Sequence, residues 1–323
     1  IAGAAATGGL LVGCSAPTAQ DRLGEATPAS QAHGATALNG WVRIHPDGQV
    51  SVAVPRSEMG QGVLTALPML LVEELDARWA DVRVEHAPVA DIYANQALLI
   101  NVLPFGVDDD GMLARLARAS IQKVGYALHL QVTGGSSSIR DAWEPLRLAG
   151  ATARAMLIAA AAQRWQVPAA QCRAEAGQVI HPATGRRLGF GELADAAARL
   201  VPPEDVPLKD PAHYQLIGRP VARKDIPAKV NGSAVFGIDV REPGMLYAAI
   251  RQAPVFAATV ARVDATQART MRGVHQVLQI PAGVVVLADN WWRARQALAT
   301  VQISYAPSEH DQVSTASIAA QFR

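Results

Sequence analysis

The chain has 323 residues, half of them hydrophobic and 5% aromatic, with 29 basic side chains against 28 acidic ones. That length supports a large core and points to two domains rather than one. The near-cancelling charge, with no Lys/Arg run interleaved with aromatics, excludes the electrostatic footprint of nucleic-acid binding, and two cysteines, Cys14 and Cys172, exclude a CxxC pair, a zinc site or the thiolate nest of an iron-sulfur cluster.

Residues 1–14, "IAGAAATGGLLVGC", are uncharged and apolar but shorter than the ~20 residues a bilayer-spanning helix needs. They read as a signal or membrane-anchor segment and imply export. "LVGC" resembles a lipoprotein processing box that would make Cys14 a lipidated residue, and a plain signal segment with an incidental cysteine is an equal reading. Residues 15–37, rich in Ala, Ser, Thr, Pro and Gly, read as a linker.

From Trp41, "WVRIHPDGQVSVAVP" is two alternating apolar runs around Pro46-Asp47-Gly48, a hairpin signal. Val63 to Leu75 has helical spacing, with a kink expected at Pro68, and "ADVRVEHAP" is a further short strand. Tyr93 to Leu130 shows no single period and carries no assignment. "TGGSSSIRDAW" leads into the Ala-rich "LRLAGATARAMLIAAAAQRW", with Pro145 expected to break or bend the path between two helical pieces. Residues 167–200 read as short strands around a turn at Pro182 to Gly185, then a small helix, and "VPPEDVPLKDP" as a boundary. A second α+β unit follows: strands "AVFGIDV", "MLYAAIRQ", "VHQVLQI", "VVVLAD" and "VQISYA", a short helix after Asp264, and a helix "WWRARQALA" whose tryptophans read as packing residues.

Two stretches carry candidate chemistry. "MGQGVLT" and "TGGSSS" each place glycines and polar side chains at a helix start, where unpaired N–H groups and the helix dipole favour negative charge. Two such mouths suit a ligand with phosphate groups or many polar edges, while turns and ordinary N-caps at Ser136 to Ser138 are the plainer alternative. Neither stretch is a P-loop or a GxGxxG turn, no GxSxG elbow occurs, and the eight histidines have no HExxH spacing. No metal ligand and no catalytic residue is named.

Three segments together, "NGWVRIHPDGQVSVAVPRSEMGQGVLTALPMLLVEELDARWADVRVEHAP", "TGGSSSIRDAWEPLRLAGATAR" and "YQLIGRPVARKDIPAKVNGSAVFGIDVREPGMLYAAI", resemble the molybdopterin-binding large subunit of the xanthine dehydrogenase superfamily. The branch is the isoquinoline oxidoreductase beta-subunit type, which includes membrane-bound bacterial aldehyde dehydrogenases, and the likeness covers the N-terminal portion of such subunits. It implies an α+β fold in which residues 38–200 are part of a molybdopterin-binding domain, 201–216 a linker, 217–307 a hammerhead domain and 308–323 the start of a continuation.

The resemblance further implies that Gly60, Gln61 and Gly62 contact the molybdopterin and that Thr133, Gly134, Gly135, Ser136, Ser137 and Ser138 hold the pterin dinucleotide. The cofactor would be molybdenum with molybdopterin cytosine dinucleotide. Partners would be a small subunit carrying 2Fe-2S clusters and a cytochrome c subunit carrying haem c. The expected activity is oxidation of small aldehydes to carboxylic acids on the periplasmic side of the inner membrane, with a twin-arginine motif expected upstream of Ile1. Hydroxylation of isoquinoline-like N-heteroaromatics, or a non-catalytic scaffold role, stands beside it. The family's general base lies in its C-terminal continuation, so these 323 residues alone are expected to be inactive. Glu58 beside the glycines reads as a structural helix-start carboxylate.

Overall fold

The computed structural model describes residues 17–24, 34–106 and 109–322, and the signal-like segment with Cys14 lies outside them. The chain divides into two compact units, Ile1–Ser233 and Ala234–Arg323. Helices and strands are mixed in both, as expected of an α+β protein.

The first unit is built on a four-stranded sheet in sequence order: β1 (Thr36–Ala37), β2 (Val42–Ile44), β3 (Val50–Val54) and β4 (Val82–His86). The Pro-Asp-Gly turn joins β2 and β3 as an antiparallel pair, Val42 opposite Val52. β3 and β4 run parallel, which requires a crossover, and helix α1 (Val63–Leu75) supplies it. Every residue of β3 is buried, as befits a central strand covered on both faces. The glycine-rich stretch lies between the carboxyl end of β3 and the start of α1, the end of a strand-helix unit where ligands commonly bind.

Residues 93–130, which show no single sequence period, contain a 3₁₀ segment, Leu98–Val102, and helix α2 (Met112–Ala127). Of the break or bend expected at Pro145 the break does not occur: α3 is one helix, Ser138–Trp165. Proline removes the bond that the Asp141 carbonyl would have accepted, and that oxygen accepts instead from Arg22 Nη1 at 3.3 Å. The freed acceptor is satisfied, so the helix continues. α1 is likewise unbroken through Pro68.

Helices α1 and α3 pack against each other at Gly150, where a Cβ would lie 2.1 Å from the Leu71 carbonyl oxygen; only glycine permits that approach. Around this crossing Trp41, Ile44, Leu67, Leu71, Leu146 and Leu157 form the core, all fully buried. The Trp41 ring meets Tyr93 edge to face at 4.9 Å and its Nε1 donates to the Arg22 carbonyl at 2.7 Å. Strands β5 (Arg173–Glu175), β6 (Gln178–His181) and β7 (Arg186–Gly189) form an antiparallel meander, followed by α4 (Phe190–Ala197).

The boundary segment is strapped down by the buried acids near the end of α1. Glu73 accepts the N–H groups of Gln215, Leu216 and Ile217 at 2.7–3.1 Å, and Glu74 pairs with Arg147 at 2.7 Å and accepts from Lys209 N. Burial disfavours the charged form of Glu73, but the three N–H donors outweigh it and hold its carboxyl below the usual range. A short helix, α5 (Ile226–Val230), closes this unit.

In the second unit β8 (Tyr247–Gln252), β9 (Val260–Asp264), α6 (Thr266–Thr270), β10 (Val274–Ile280), β11 (Gly283–Ala288), α7 (Trp291–Thr300), β12 (Gln302–Tyr305) and α8 (Thr315–Gln321) follow one another. β11 is central between β10 and β8, and β9 pairs with β12. Its core is small-residue-rich, with Val284, Val286, Ala294 and Ala297 fully buried. The expected strand "AVFGIDV" is instead a 3₁₀ turn, Gly237–Asp239, with Val235, Phe236 and Ile238 exposed. It alternates correctly but has no strand to pair with among the described residues, and an unpaired strand does not form. Trp291 and Trp292 do open a helix, yet they are 50% and 60% exposed rather than packed.

Candidate functional site

Both glycine-rich stretches sit where their composition places them, at helix starts. Gly60 and Gly62 have φ of +105° and +89°, backbone that side chains rarely adopt, and a Cβ at either would meet nothing within 4 Å. The loop therefore turns bare backbone toward open space. Glu58 lies behind it: Oε1 accepts from Gly60 N at 2.8 Å and Gly62 N at 2.9 Å, and Oε2 from Leu64 N at 3.1 Å. Burial works against its charge, but these three donors prevail and lower its pKa. The first helix mouth already contains its anion, a structural carboxylate.

Gln61 is exposed and closes its own loop, with Oε1 accepting from Met59 N at 2.6 Å and Nε2 donating to Ser57 O at 2.8 Å. The second stretch turns through Gly135 and Ser136, φ +60° and +51°, before α3 begins. None of its serines caps the helix. Ser137, fully buried, donates to Gly134 O at 2.6 Å and accepts from Asn95 Nδ2 at 2.7 Å. Asn95 Nδ2 also donates to Val132 O at 2.8 Å, while its buried Oδ1 has no partner. Ser136 and Gly135 are exposed, Gly134 and Ser138 half-buried.

One contact joins the two stretches. Ser57 N donates to Thr133 Oγ1 at 2.8 Å across 76 positions of sequence. Beneath it lies a buried charge cluster that sequence reasoning missed. Asp141, in the first turn of α3, pairs with Arg56 at 2.6 Å and Arg22 at 2.9 Å and accepts from Gln96 N at 2.8 Å. Arg56 immediately precedes the first loop and Asp141 closely follows the second, so this one carboxylate ties the bases of both. Burial lowers the Arg56 pKa and the Asp141 charge opposes that shift. Arg56 and Asp141 lie 85 positions apart, and nothing in their local pattern marks them as a pair.

The arrangement is two backbone-rich helix mouths held side by side, one internally neutralised and one offering the exposed Gly135 and Ser136. It fits an extended ligand with a polar ring edge at one end and an anionic group at the other.

Comparison with known proteins gives the family. The family model of the molybdopterin cofactor-binding domain matches residues 7–96. The beta subunit of isoquinoline 1-oxidoreductase from Brevundimonas diminuta is 35% identical over 90% of this chain. The chain belongs to the molybdenum hydroxylase family. A membrane-bound aldehyde dehydrogenase (pyrroloquinoline-quinone) of Gluconacetobacter polyoxogenes is 29% identical over 93% of the chain, and a nicotinate dehydrogenase subunit of Pseudomonas putida 28% over 83%. The chain spans 38%, 36% and 20% of these three relatives' own lengths. Among the described residues no helix is long and apolar enough to cross a membrane, and no cluster of His, Cys, Asp or Glu could hold a metal ion.

Proposed function

We propose that this chain is the part of a molybdenum hydroxylase large subunit that cradles the pterin cofactor, and that the Ser57 to Thr133 bond carries the reading because it makes one platform of two glycine-rich loops. The cofactor, molybdenum with molybdopterin cytosine dinucleotide, supplies the redox chemistry when bound. The chain binds and orients it. Gly60, Gln61 and Gly62 meet the pterin edge, and Thr133, Gly134, Gly135, Ser136 and Ser138 hold the dinucleotide; Ser137, expected among them, is fully buried with its hydroxyl committed to Gly134 O and Asn95 Nδ2, and braces the loop from behind instead. The division follows the charges: Glu58 fills the first mouth, leaving the phosphates to the second, where two guanidiniums outnumber the single Asp141 carboxylate.

The assembled enzyme oxidises small aldehydes to carboxylic acids at the periplasmic face of the membrane. Electrons leave through an iron-sulfur subunit and a cytochrome c subunit, since two cysteines cannot hold those centres in this chain. Export and attachment, through Cys14 or a partner, belong to the same proposal, as does a hammerhead assignment for residues 217–307. The name of the 35%-identical relative favours a second substrate reading, N-heteroaromatic rings hydroxylated beside nitrogen. No catalytic base is assigned within these residues.

The test is Gln61→Ala in the complete large subunit purified with its partners. The substitution deletes both bonds that close the loop, each worth about 0.5–1.5 kcal/mol, and pterin and molybdenum per polypeptide should fall. Unchanged content in the variant counts against Gln61, and no pterin in the parent protein counts against the whole reading. Paired assays with acetaldehyde and isoquinoline choose between the substrates.

A further inference from the structure

We propose that Arg223 is a positioning residue for the cofactor loop, reaching it from a strap of chain that carries none of the loop motifs. Arg223 Nη1 donates to the Gly60 carbonyl at 2.9 Å, and Nη2 lies 3.3 Å from Glu58 Oε1. One guanidinium thus holds both the outermost peptide of the loop and the carboxylate that organises it from within. Beyond the Ser57 to Thr133 bond at its base and the Glu58 bonds within it, the loop's tip has, among the described residues, no side-chain tie to the surrounding chain other than Arg223. Its two left-handed glycines meet no atoms within 4 Å of their Cβ positions, and the Gln61 bonds are internal to the loop.

The strap itself is anchored independently of the loop. Asp225 grips the other side of the fork, Oδ1 to Nε at 2.9 Å and Oδ2 to Nη2 at 2.7 Å, and Lys229 Nζ contacts Asp225 Oδ2 at 2.5 Å. Lys224 N donates to Thr65 Oγ1 on α1 at 3.0 Å, while Lys224 Nζ bonds the Trp79 carbonyl and sits 4.5 Å from the centre of the Trp79 ring. A planar fork held in place by a carboxylate loses little freedom on bonding two further acceptors, which is why arginine suits this position and lysine, a point charge, suits it less. The strap therefore places a rigid donor pair at the loop, and its function is to keep the Gly60 and Gly62 backbone in the geometry that receives a ligand. The binding arm of the proposal rests on the cofactor reading above, and the loop-order arm does not.

The experiment compares Arg223→Met and Arg223→Lys with Arg154→Met in the complete large subunit and its partners. Arg154 fixes the same boundary region, donating to Glu74 O and Pro207 O, without touching the loop, so it controls for general loosening. Amide hydrogen exchange of residues 57–62, thermal unfolding and the rate of pterin release are measured on each. Arg223→Met should speed exchange at 57–62 and pterin release by about tenfold, the scale of one lost charge-assisted bond. Arg223→Lys should recover part of both, and Arg154→Met should leave both unchanged. Exchange and release in Arg223→Met that match the parent, or that Arg154→Met reproduces, overturn the positioning role. If the parent protein purifies without pterin, the cofactor reading fails, and exchange at 57–62 alone decides whether Arg223 holds the loop.

Discussion

Replacing Asp141 by alanine should be among the most damaging single changes in the first unit. The carboxylate accepts from Arg22 Nη1 and Nη2, Arg56 Nη2, Gln96 N and Ala97 N at 2.6–3.4 Å, and its side chain is 2% exposed. Alanine leaves two guanidiniums without their counter-charge. Arg22 retains the carbonyls of Ile92, Ala94 and residue 141, and Arg56 those of Pro55 and Tyr93. Arg56 Nε, however, is already buried without a partner. Breaking a buried pair by removing one member costs about 3–5 kcal/mol, against a domain stability of roughly 5–15 kcal/mol.

Two units make a single global midpoint ambiguous, so urea unfolding should be followed by amide exchange in β2 and β3, which reports the first unit alone. The sharper arm is the triple variant Arg22→Met, Arg56→Met, Asp141→Leu. If the damage comes from stranded charge, it should be milder than Asp141→Ala, because replacing a whole buried cluster by apolar side chains is often nearly neutral. A loss below about 1 kcal/mol for Asp141→Ala, or a triple variant no better than the single one, refutes the reasoning.

Gly150→Ala should separate α1 from α3, since its Cβ would fall 2.1 Å from Leu71 O and 3.1 Å from Glu74 Cβ; overpacking of this kind costs about 1–3 kcal/mol or more, and an unchanged melting temperature would contradict so close a crossing. Stability should also fall in acid. Glu58 and Glu73 are held below their ordinary value of 4.5 in the fold, so the unfolded chain binds protons first, and their contribution is complete above that value and lost as pH drops toward the lowered values. Melting temperatures should decline from about pH 5 to about pH 3, less steeply in Glu73→Gln, and equal slopes in the two proteins would show that Glu73 takes no part.

The local parts of this fold were legible because each rests on a short-range cause. Alternating apolar residues around Pro46-Asp47-Gly48 became β2 and β3, and the run after Gly62 became α1 over Val63–Leu75. Glycines at two helix starts were visible for the same reason. What failed was continuity through Pro145 and pairing of "AVFGIDV", and both depend on distant chain. A proline is tolerated mid-helix when something else satisfies the carbonyl it frees, and the Arg22 donor comes from 119 positions away. A strand needs a neighbour, and apolar alternation alone cannot say whether one arrives.

The same limit explains why the glycines of the site could be read and its scaffolding could not. A glycine marks its own backbone requirement, whereas Arg22, Arg56, Asp141 and Arg223 are ordinary surface residues until the fold brings them together. Glu58 is intermediate. Its place at a helix start marked it as structural, but only the geometry shows that it occupies the anion position of that mouth. That occupancy alters what the first loop can do. The N–H groups of Gly60, Gly62 and Leu64 are committed to that carboxylate, so the mouth does not offer them to a second anion. Phosphate therefore has less to bind there than at the second mouth, and the two glycine-rich loops, alike in composition, are chemically unlike.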